Sequence, residues 1–395
     1  MFKKILAFVL PVFLIVGYSG WAYAQPLPAL KPVQDIAVTQ QTTGAGNIAW
    51  SSYGEQAVGV KGAGILASQG EMTPTPMASV AKVMVALAVL QQKPLQIDEQ
   101  GPNVPITNED VLLYQQYMSE GQSVAAVQAG EKLSEYQALQ ALLLPSGNNI
   151  ATTLTNWAFG SQSDYLSYAN NYAKNIGMTN TTFADASGFS PNTVSTANDL
   201  VLMGQAAMDN PVLAQIVGQY KAIIPVAGQI TNVNSNVNPA SNSGLNGIKT
   251  GNTDQAGGCL LFSAPYQGHT LIGAIMKAPD LGTALHDAPA IMDSFKASVE
   301  VQDVITAGQI VAHYVQPWGG RVNVKAEKNL QIIGFKGTKI PVTVSVGDIN
   351  QPTEKDQKIG TAHFSFNNDT ENTPLLLDKS ITKPSFWWRV THPGR

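Results

Sequence analysis

At 395 residues the chain is long enough for two domains, and its 44% hydrophobic content marks a globular protein, not a disordered one. Charged residues make up only 13% and the net charge is −4, which excludes a basic field able to hold nucleic acid. Cys259 is the single cysteine, so no internal disulfide is possible; the five histidines (His269, His286, His313, His363, His392) form neither a metal-ligand spacing nor a Ser-His-Asp set, and no cofactor is implied.

Lys3 and Lys4 precede an apolar run from Ile5 to Val16, and the segment closes on Ala22-Tyr23-Ala24. Residues 1–24 read as a secretory signal with cleavage expected after Ala24; the alternative is an uncleaved apolar anchor, and either places the protein outside the cytosol. Residues 25–45, rich in Pro, Gln and Thr, read as an N-terminal lead. Ala57 to Val60 and Ile65 to Ala67 are strand-like. Val80 to Leu90 is apolar nearly throughout, which predicts a helix buried on all sides at the centre of a domain. From Glu109 to Asn175 the patterns are helical, with a stop at Pro145, a turn beginning at Ser146 and a new helix over Ile150 to Phe159. Asn198 to Met208 predicts a further helix capped by Thr196. Thr231 to Asn246, dense in Asn and Ser, reads as a loop or irregular hairpin.

Strands return at Ile248 to Gly251, Gly258 to Ala264 and Thr270 to Met276, with Tyr266-Gln267-Gly268 as the last turn; Pro289 to Phe295 closes the domain as a helix. Cys259 falls in the second of these runs and reads as a small buried residue. Residues 46–298 therefore form an α/β (α+β) domain, an antiparallel sheet flanked by helices and closed by its two chain ends. From Gly319 to Leu377 apolar and polar residues alternate, with strand candidates at 322–324, 331–334, 342–346 and 363–366. This predicts a small all-β domain over 299–385, followed by a tail at 386–395.

Three motifs follow in order: Ser79-Val80-Ala81-Lys82, Ser146-Gly147-Asn148 and Lys249-Thr250-Gly251. Singly they carry little, since Ser-x-x-Lys recurs at Ser380 to Lys383 and Ser-x-Asn at Ser190 and Ser365, but Lys-Thr-Gly occurs once. A serine hydroxyl needs a base to become a nucleophile. Ser79 and Lys82, three apart, share one helix face. Burial in the apolar run disfavours the charged form of Lys82, and a second cation at Lys249 acts in the same direction, so Lys82 serves as the general base. Ser146 relays a proton to the leaving amine and Asn148 holds a substrate amide. Lys249 supplies positive potential, Thr250 binds a carboxylate oxygen and Gly251 lets substrate approach the backbone. The N–H groups of Ser79 and Asn252 are the candidate oxyanion donors.

These motifs, together with Gly130-Glu131-Lys132, Leu142 to Asn149, Ile176 to Thr181, Ser195 to Leu200 and Gly247 to Thr253, resemble the serine D-Ala-D-Ala carboxypeptidases, the low-molecular-mass penicillin-binding proteins of peptidase family S11. The resemblance runs over roughly residues 46–385 and includes Lys358-Ile359-Gly360-Thr361 of a β-rich C-terminal domain. It implies a β-lactamase/transpeptidase-like catalytic domain that removes the terminal D-alanine from peptidoglycan stem peptides ending in D-Ala-D-Ala, with β-lactams as covalent inhibitors. By the same resemblance Ser79 is the nucleophile, Lys82 the base, and Ser146, Asn148, Lys249 and Thr250 the supporting set. The chain departs from the family twice. Leu271 to His286 has no arginine to bind the substrate carboxylate, leaving Thr250 and Lys249 for that role. The C-terminal anchor is reduced to Ser385-Phe386-Trp387-Trp388-Arg389, a candidate peripheral membrane contact. Two other readings are a non-catalytic penicillin- or cell-wall-binding protein and a serine β-lactamase. The latter needs a glutamate for its deacylating water, and none lies between Glu135 and Glu300.

Overall fold

The computed structural model describes residues 2–36, 41–232, 243–350, 352–366 and 369–394. Two units are distinguished, one of residues 45–300 and one assembled from 1–44, 301–366 and 370–395.

The larger unit is built on five antiparallel strands: β1 (Glu55–Val60), β2 (Gly64–Gln69), β3 (Ile248–Thr253), β4 (Gly257–Tyr266) and β5 (His269–Ala278). Their spatial order is β3-β4-β5-β1-β2, so the two ends of the domain sequence meet at the β5–β1 pairing, Gly273 opposite Val58, and β3 is left as an edge. The β4–β5 turn lies at Gln267 (φ 47°) and Gly268 (φ 84°), a left-handed pair that suits the twist of a tight hairpin. The helices of this unit are α1 (Lys82–Gln92), α2 (Asn108–Ser119), α3 (Glu135–Leu143), α4 (Asn148–Phe159), α5 (Gln162–Asn175), α6 (Ala197–Asp209), α7 (Pro211–Val217) and α8 (Leu281–Ser298); α6 and α8 pack on the sheet, and α1 packs among α3, α4, α5 and α6. Lys82 to Leu90 of α1 are all buried, which puts this helix in the middle of the core and explains why its sequence has no polar face. Thr196 caps α6 by accepting from the Asp199 amide.

Four boundaries differ from the sequence reading. The helical stretch from Glu109 to Asn175 is interrupted by a short ladder of Asn103–Pro105 with Lys132–Ser134; a three-residue pairing is too short to show a period-two pattern. The closing helix α8 begins at Leu281, because Asp280 caps it by accepting from the Thr283 amide; Pro289 is inside it, not at its start. Within the N-terminal lead, Leu30 bridges Ile349, and Val33 and Gln34 pair with His313 and Ala312, joining these residues to the β-rich unit. The tail contains a helix, Phe386–Thr391, capped by Ser385. Of the segment Thr231 to Asn246, residues 233–242 lie outside the described residues.

The smaller unit holds a six-stranded sheet in the order Val33–Gln34, Ile310–Gln316, Gly320–Ala326, Asp369–Leu377, Lys358–Phe366, Thr343–Val346. The strands Ile310–Gln316 and Asp369–Leu377 are additions to those read from sequence; the first carries His313, exposed Val315 and Gln316, which blur the alternation. Within this unit the helix Phe2–Ala24 meets Phe386–Thr391: Arg389 Nη2 donates to the Gln25 carbonyl at 2.6 Å, and its guanidinium lies 4.4 Å from the Tyr23 ring centroid.

Candidate active site

Ser79 sits on a 3₁₀ turn, Ala78–Ala81, that leads directly into α1, so it stands one turn before the helix proper. Ala78 has φ 49°, a strained backbone for a residue with a side chain, of the kind found where a catalytic group is presented. Lys82 opens the helix, and Lys82 Nζ lies 2.7 Å from Ser79 Oγ and 3.0 Å from the Ser187 carbonyl oxygen. Lys82 is fully buried among apolar neighbours while Ser79 is partly exposed. Burial, and then the positive charge of Lys249, hold the Lys82 ammonium well below the ordinary lysine range, with Asp185 pulling weakly the other way. Lys82 Nζ donates to Ser187 O and to Ser79 Oγ and touches no carboxylate that would hold it charged.

The carbonyl of Ser187 is placed by a loop that sequence reasoning missed. Asp185 accepts from Ser187 Oγ at 2.6 Å, from the Ser187 amide at 3.2 Å, from the Phe189 amide at 3.0 Å and from the Thr193 hydroxyl. Gly188 (φ 77°) follows because a Cβ there would stand 1.8 Å from the Ala78 carbonyl oxygen. In the sequence, Asp185-Ala186-Ser187-Gly188 is only a turn signal, and nothing local marks it as a partner of Lys82.

The second motif lies between α3 and α4. Ser146 has φ 63° and its Oγ is buried with no hydrogen-bond partner among the described residues. Asn148 starts α4; its amide N–H donates to the Ser123 carbonyl at 2.8 Å and its Nδ2 to Gln122 Oε1, while its Oδ1, also buried, has no partner. A buried polar atom without a partner costs roughly 1–3 kcal/mol. Ser146 and Asn148, two residues apart, each carry one such atom.

The third motif is the edge strand β3. Lys249 is fully buried, its Nζ 2.8 Å from the Thr250 carbonyl oxygen, and burial brings its ammonium down to about 7. Gly251 is required by proximity: a Cβ there would come within 2.8 Å of the Met77 carbonyl oxygen and 3.1 Å of the Ser79 amide nitrogen. Cys259 pairs across the sheet with Gly251, is fully buried, and burial pushes its thiol up to about 11, which makes it an inert packing group. A cleft of about 390 Å³ opens over these elements, lined by Ser79, Asn148 and Asn252 of the motifs, together with the segments Glu120–Ser123, Gly188–Phe189 and Thr253–Gln255. Ser146, Lys82, Lys249 and Thr250 are buried and are not among its lining residues.

A serine–aspartate–histidine grouping occurs elsewhere in this unit, but Asp287 itself takes the Ser51 hydroxyl at 2.6 Å and the Tyr53 hydroxyl at 2.8 Å, with His286 on its other oxygen. With the carboxylate between serine and imidazole, the imidazole does not reach the Ser51 proton. Among the described residues no group of His, Cys, Asp and Glu forms a metal site.

Residues 51–280 match the family model for D-alanyl-D-alanine carboxypeptidases, peptidase S11. The chain belongs to this family. It is 27% identical over 281 residues to D-alanyl-D-alanine carboxypeptidase DacC of Escherichia coli, covering 68% of this chain and 69% of that protein. It is 25% identical over 338 residues to DacA of the same organism, covering 82% of each. The solved structure of penicillin binding protein 5 from Haemophilus influenzae superposes with a TM-score of 0.62 at 18% identity, over 88% of this chain and 100% of that one, a shared fold. The family and the α/β architecture with a following antiparallel β unit are those expected from the sequence. The protein is a serine-type D-Ala-D-Ala carboxypeptidase, and neither the lactamase nor the non-catalytic reading gains support.

Proposed function

We propose that Ser79 is the acylated nucleophile and neutral Lys82 its general base, acting on peptidoglycan stem peptides that end in D-Ala-D-Ala. The observation that carries the assignment is the 2.7 Å contact between Ser79 Oγ and an amine fully removed from solvent. The Ser79 proton passes to Lys82 Nζ as Oγ attacks the carbonyl of the penultimate residue. The amide N–H groups of Ser79 and Asn252 flank the place where the oxyanion forms, and Gly251 lets the strand come close enough for both to reach it. The proton held by Lys82 is returned through Ser146, which gives its own proton to the departing D-alanine amine and takes that of Lys82; its unpartnered Oγ is the supporting feature. Asn148 Oδ1 takes a substrate amide N–H, and Thr250, with the field of Lys249 beneath it, receives the terminal carboxylate. Water then breaks the Ser79 ester. A β-lactam enters the same path and stays attached to Ser79.

Residues 1–24 act as an export signal cleaved after Ala24, a reading supported by Lys3, Lys4, the apolar helix Phe2–Ala24 and the small residues at its end. Phe386 and Trp387, 48% and 75% exposed, supply a peripheral membrane contact. D-alanine release from a pentapeptide ending in D-Ala-D-Ala tests the activity; its absence in folded protein, or its persistence in Ser79→Ala, overturns the assignment. N-terminal sequencing of the exported protein tests the cleavage: Gln25 is expected, and Met1 refutes it.

A further inference from the structure

The far end of the Lys82 side chain is held by a loop that also reaches the nucleophile turn. Thr182 and Val194 pair, each amide donating to the other's carbonyl at 2.9 Å, and close a loop over residues 183–193. On leaving the loop, Val194 and Ser195 pair with Pro76 and Thr75, and the Met77 amide donates to the Thr193 carbonyl at 3.2 Å, two residues before Ser79. Within the loop the Ser187 carbonyl accepts from Lys82 Nζ at 3.0 Å. One end of the loop is therefore tied to the chain that carries the nucleophile, and its turn is tied to the amine.

A single carboxylate joins these two parts. Asp185 Oδ2 accepts from Ser187 Oγ at 2.6 Å, from the Ser187 amide at 3.2 Å and from the Phe189 amide at 3.0 Å, while Oδ1 accepts from Thr193 Oγ1. Thr193 is fully buried, and its Oγ1 already accepts from the Ala184 and Asp185 amides at 3.0 and 3.1 Å. Both lone pairs of that hydroxyl are used, so its one proton needs an acceptor. The loop thus requires an acceptor at each oxygen of residue 185. A carboxylate supplies two. An asparagine amide supplies one, and in either orientation it turns an N–H toward donors or toward a hydroxyl that has no lone pair left. Asp185 has no ion pair among the described residues. Lys249 and Asp185 are the charged groups that act on Lys82, in opposite directions.

Resting on the assignment of Lys82 as the base, we propose that Asp185 is a positioning residue for acylation: through Ser187 and Thr193 it fixes the carbonyl that holds the Lys82 amine against Ser79. Its side chain touches neither the amine nor the hydroxyl, and it acts through the loop.

The rate constant for labelling of the full chain by excess penicillin, measured against pH and penicillin concentration, tests this in the native protein, Thr193→Val and Asp185→Asn. That constant does not depend on how much of a preparation is folded. Thr193→Val cuts the tie and keeps the charge, and Asp185→Asn loses both. In each the limiting rate is expected to fall about 10–100-fold, since a displacement of about 1 Å at the base is enough for such a loss. In Thr193→Val the half-saturating penicillin concentration stays at the native value, because the Phe189 tie at the cleft is kept. In Asp185→Asn the inflection of the pH profile also moves to lower pH, because the charge that favours the ammonium is gone and that of Lys249 remains; a loosened fold alone would not move it. A native limiting rate in Thr193→Val, a loss there that falls on the half-saturating concentration instead, or an unmoved inflection in Asp185→Asn overturns the proposal and leaves Ser79 and Lys82 in their roles. If Asp185→Asn does not fold, the Thr193→Val result decides. Absence of labelling in the native protein overturns the reading of Ser79 and Lys82 itself.

Discussion

Ser-x-x-Lys occurs twice in this chain, and the two copies differ in everything but sequence. At Ser79 the motif begins a buried helix, the lysine is fully enclosed, and its amine lies 2.7 Å from the hydroxyl. At Ser380 the chain is extended, Ser380 Oγ donates to Glu354 Oε2 at 2.9 Å and accepts from the Lys355 amide at 3.0 Å, and Lys383 is exposed. A spacing of three brings side chains together only on a helix. An amine becomes a base near neutral pH only where burial or a neighbouring charge disfavours its ammonium form. The second copy is neither helical nor buried, and its serine is an ordinary hydrogen-bonding residue.

The sharpest way to break this contrast is to exchange the serines for alanine. Ser79→Ala is expected to abolish covalent labelling by penicillin and release of D-alanine, and Ser380→Ala to leave both unchanged. An adduct surviving in Ser79→Ala, located by mass spectrometry of peptides, would refute the assignment. Next in size is the base: Lys82→Arg replaces a titratable amine with a group that stays charged and is expected to slow acylation by about 10²–10⁴-fold. In the native protein the depressed Lys82 ammonium loses its proton as pH rises. Acylation should therefore increase with pH and level off well below the free lysine value of about 10.4. The inflection belongs to Lys82 and Lys249 together. A pH–rate profile still flat at pH 9 and climbing only above 10 contradicts this.

A smaller effect is expected at the carboxylate end. The first arginine in the chain is Arg321, outside the catalytic unit, so a two-bond guanidinium grip is not built into it. Thr250→Ala should lower kcat/KM by roughly 10–100-fold on a carboxylate peptide and far less on the corresponding C-terminal amide. Equal losses on the two substrates would show that Thr250 does not read the carboxylate.

The smallest prediction concerns a second buried ionisable group, one without a serine to serve. Glu135 is fully buried, neither carboxylate oxygen has a hydrogen-bond partner, and burial raises its carboxyl to about 7 despite the nearby Lys93. An acid raised in the folded state holds its proton there while the unfolded chain has already lost it, so stability is full below about pH 4 and falls as pH climbs toward 7. Glu135→Gln should remove that slope and raise stability at pH 8 by on the order of 2 kcal/mol. Urea midpoints at pH 5 and pH 8 check it: an unchanged difference between them in the variant excludes Glu135 as the source.

The apolar run Val80 to Leu90, the Pro145 stop, the Thr196 cap and the Gln267-Gly268 turn were legible in the sequence because each depends on periodicity, a cap or backbone freedom within a few residues. The two-residue strand Val33–Gln34 was not, because its partner is Ile310–Gln316 and no local pattern records a pairing that distant. The same division runs through the active site. The residue types and their order along the chain already specify a serine and a lysine one helical turn apart. Tertiary structure alone decides the rest: that Ser187 accepts from Lys82, that Gly188 and Gly251 fit against the nucleophile turn, and that Lys249 sits sealed behind its strand. Glu120 and Asp254 also come to one cleft from segments more than a hundred residues apart only through the fold. Desolvation, which frees the lysine amine of its proton, is a property of what surrounds a residue in space; the apolar run pointed to it, and the packing around Lys82 decides it.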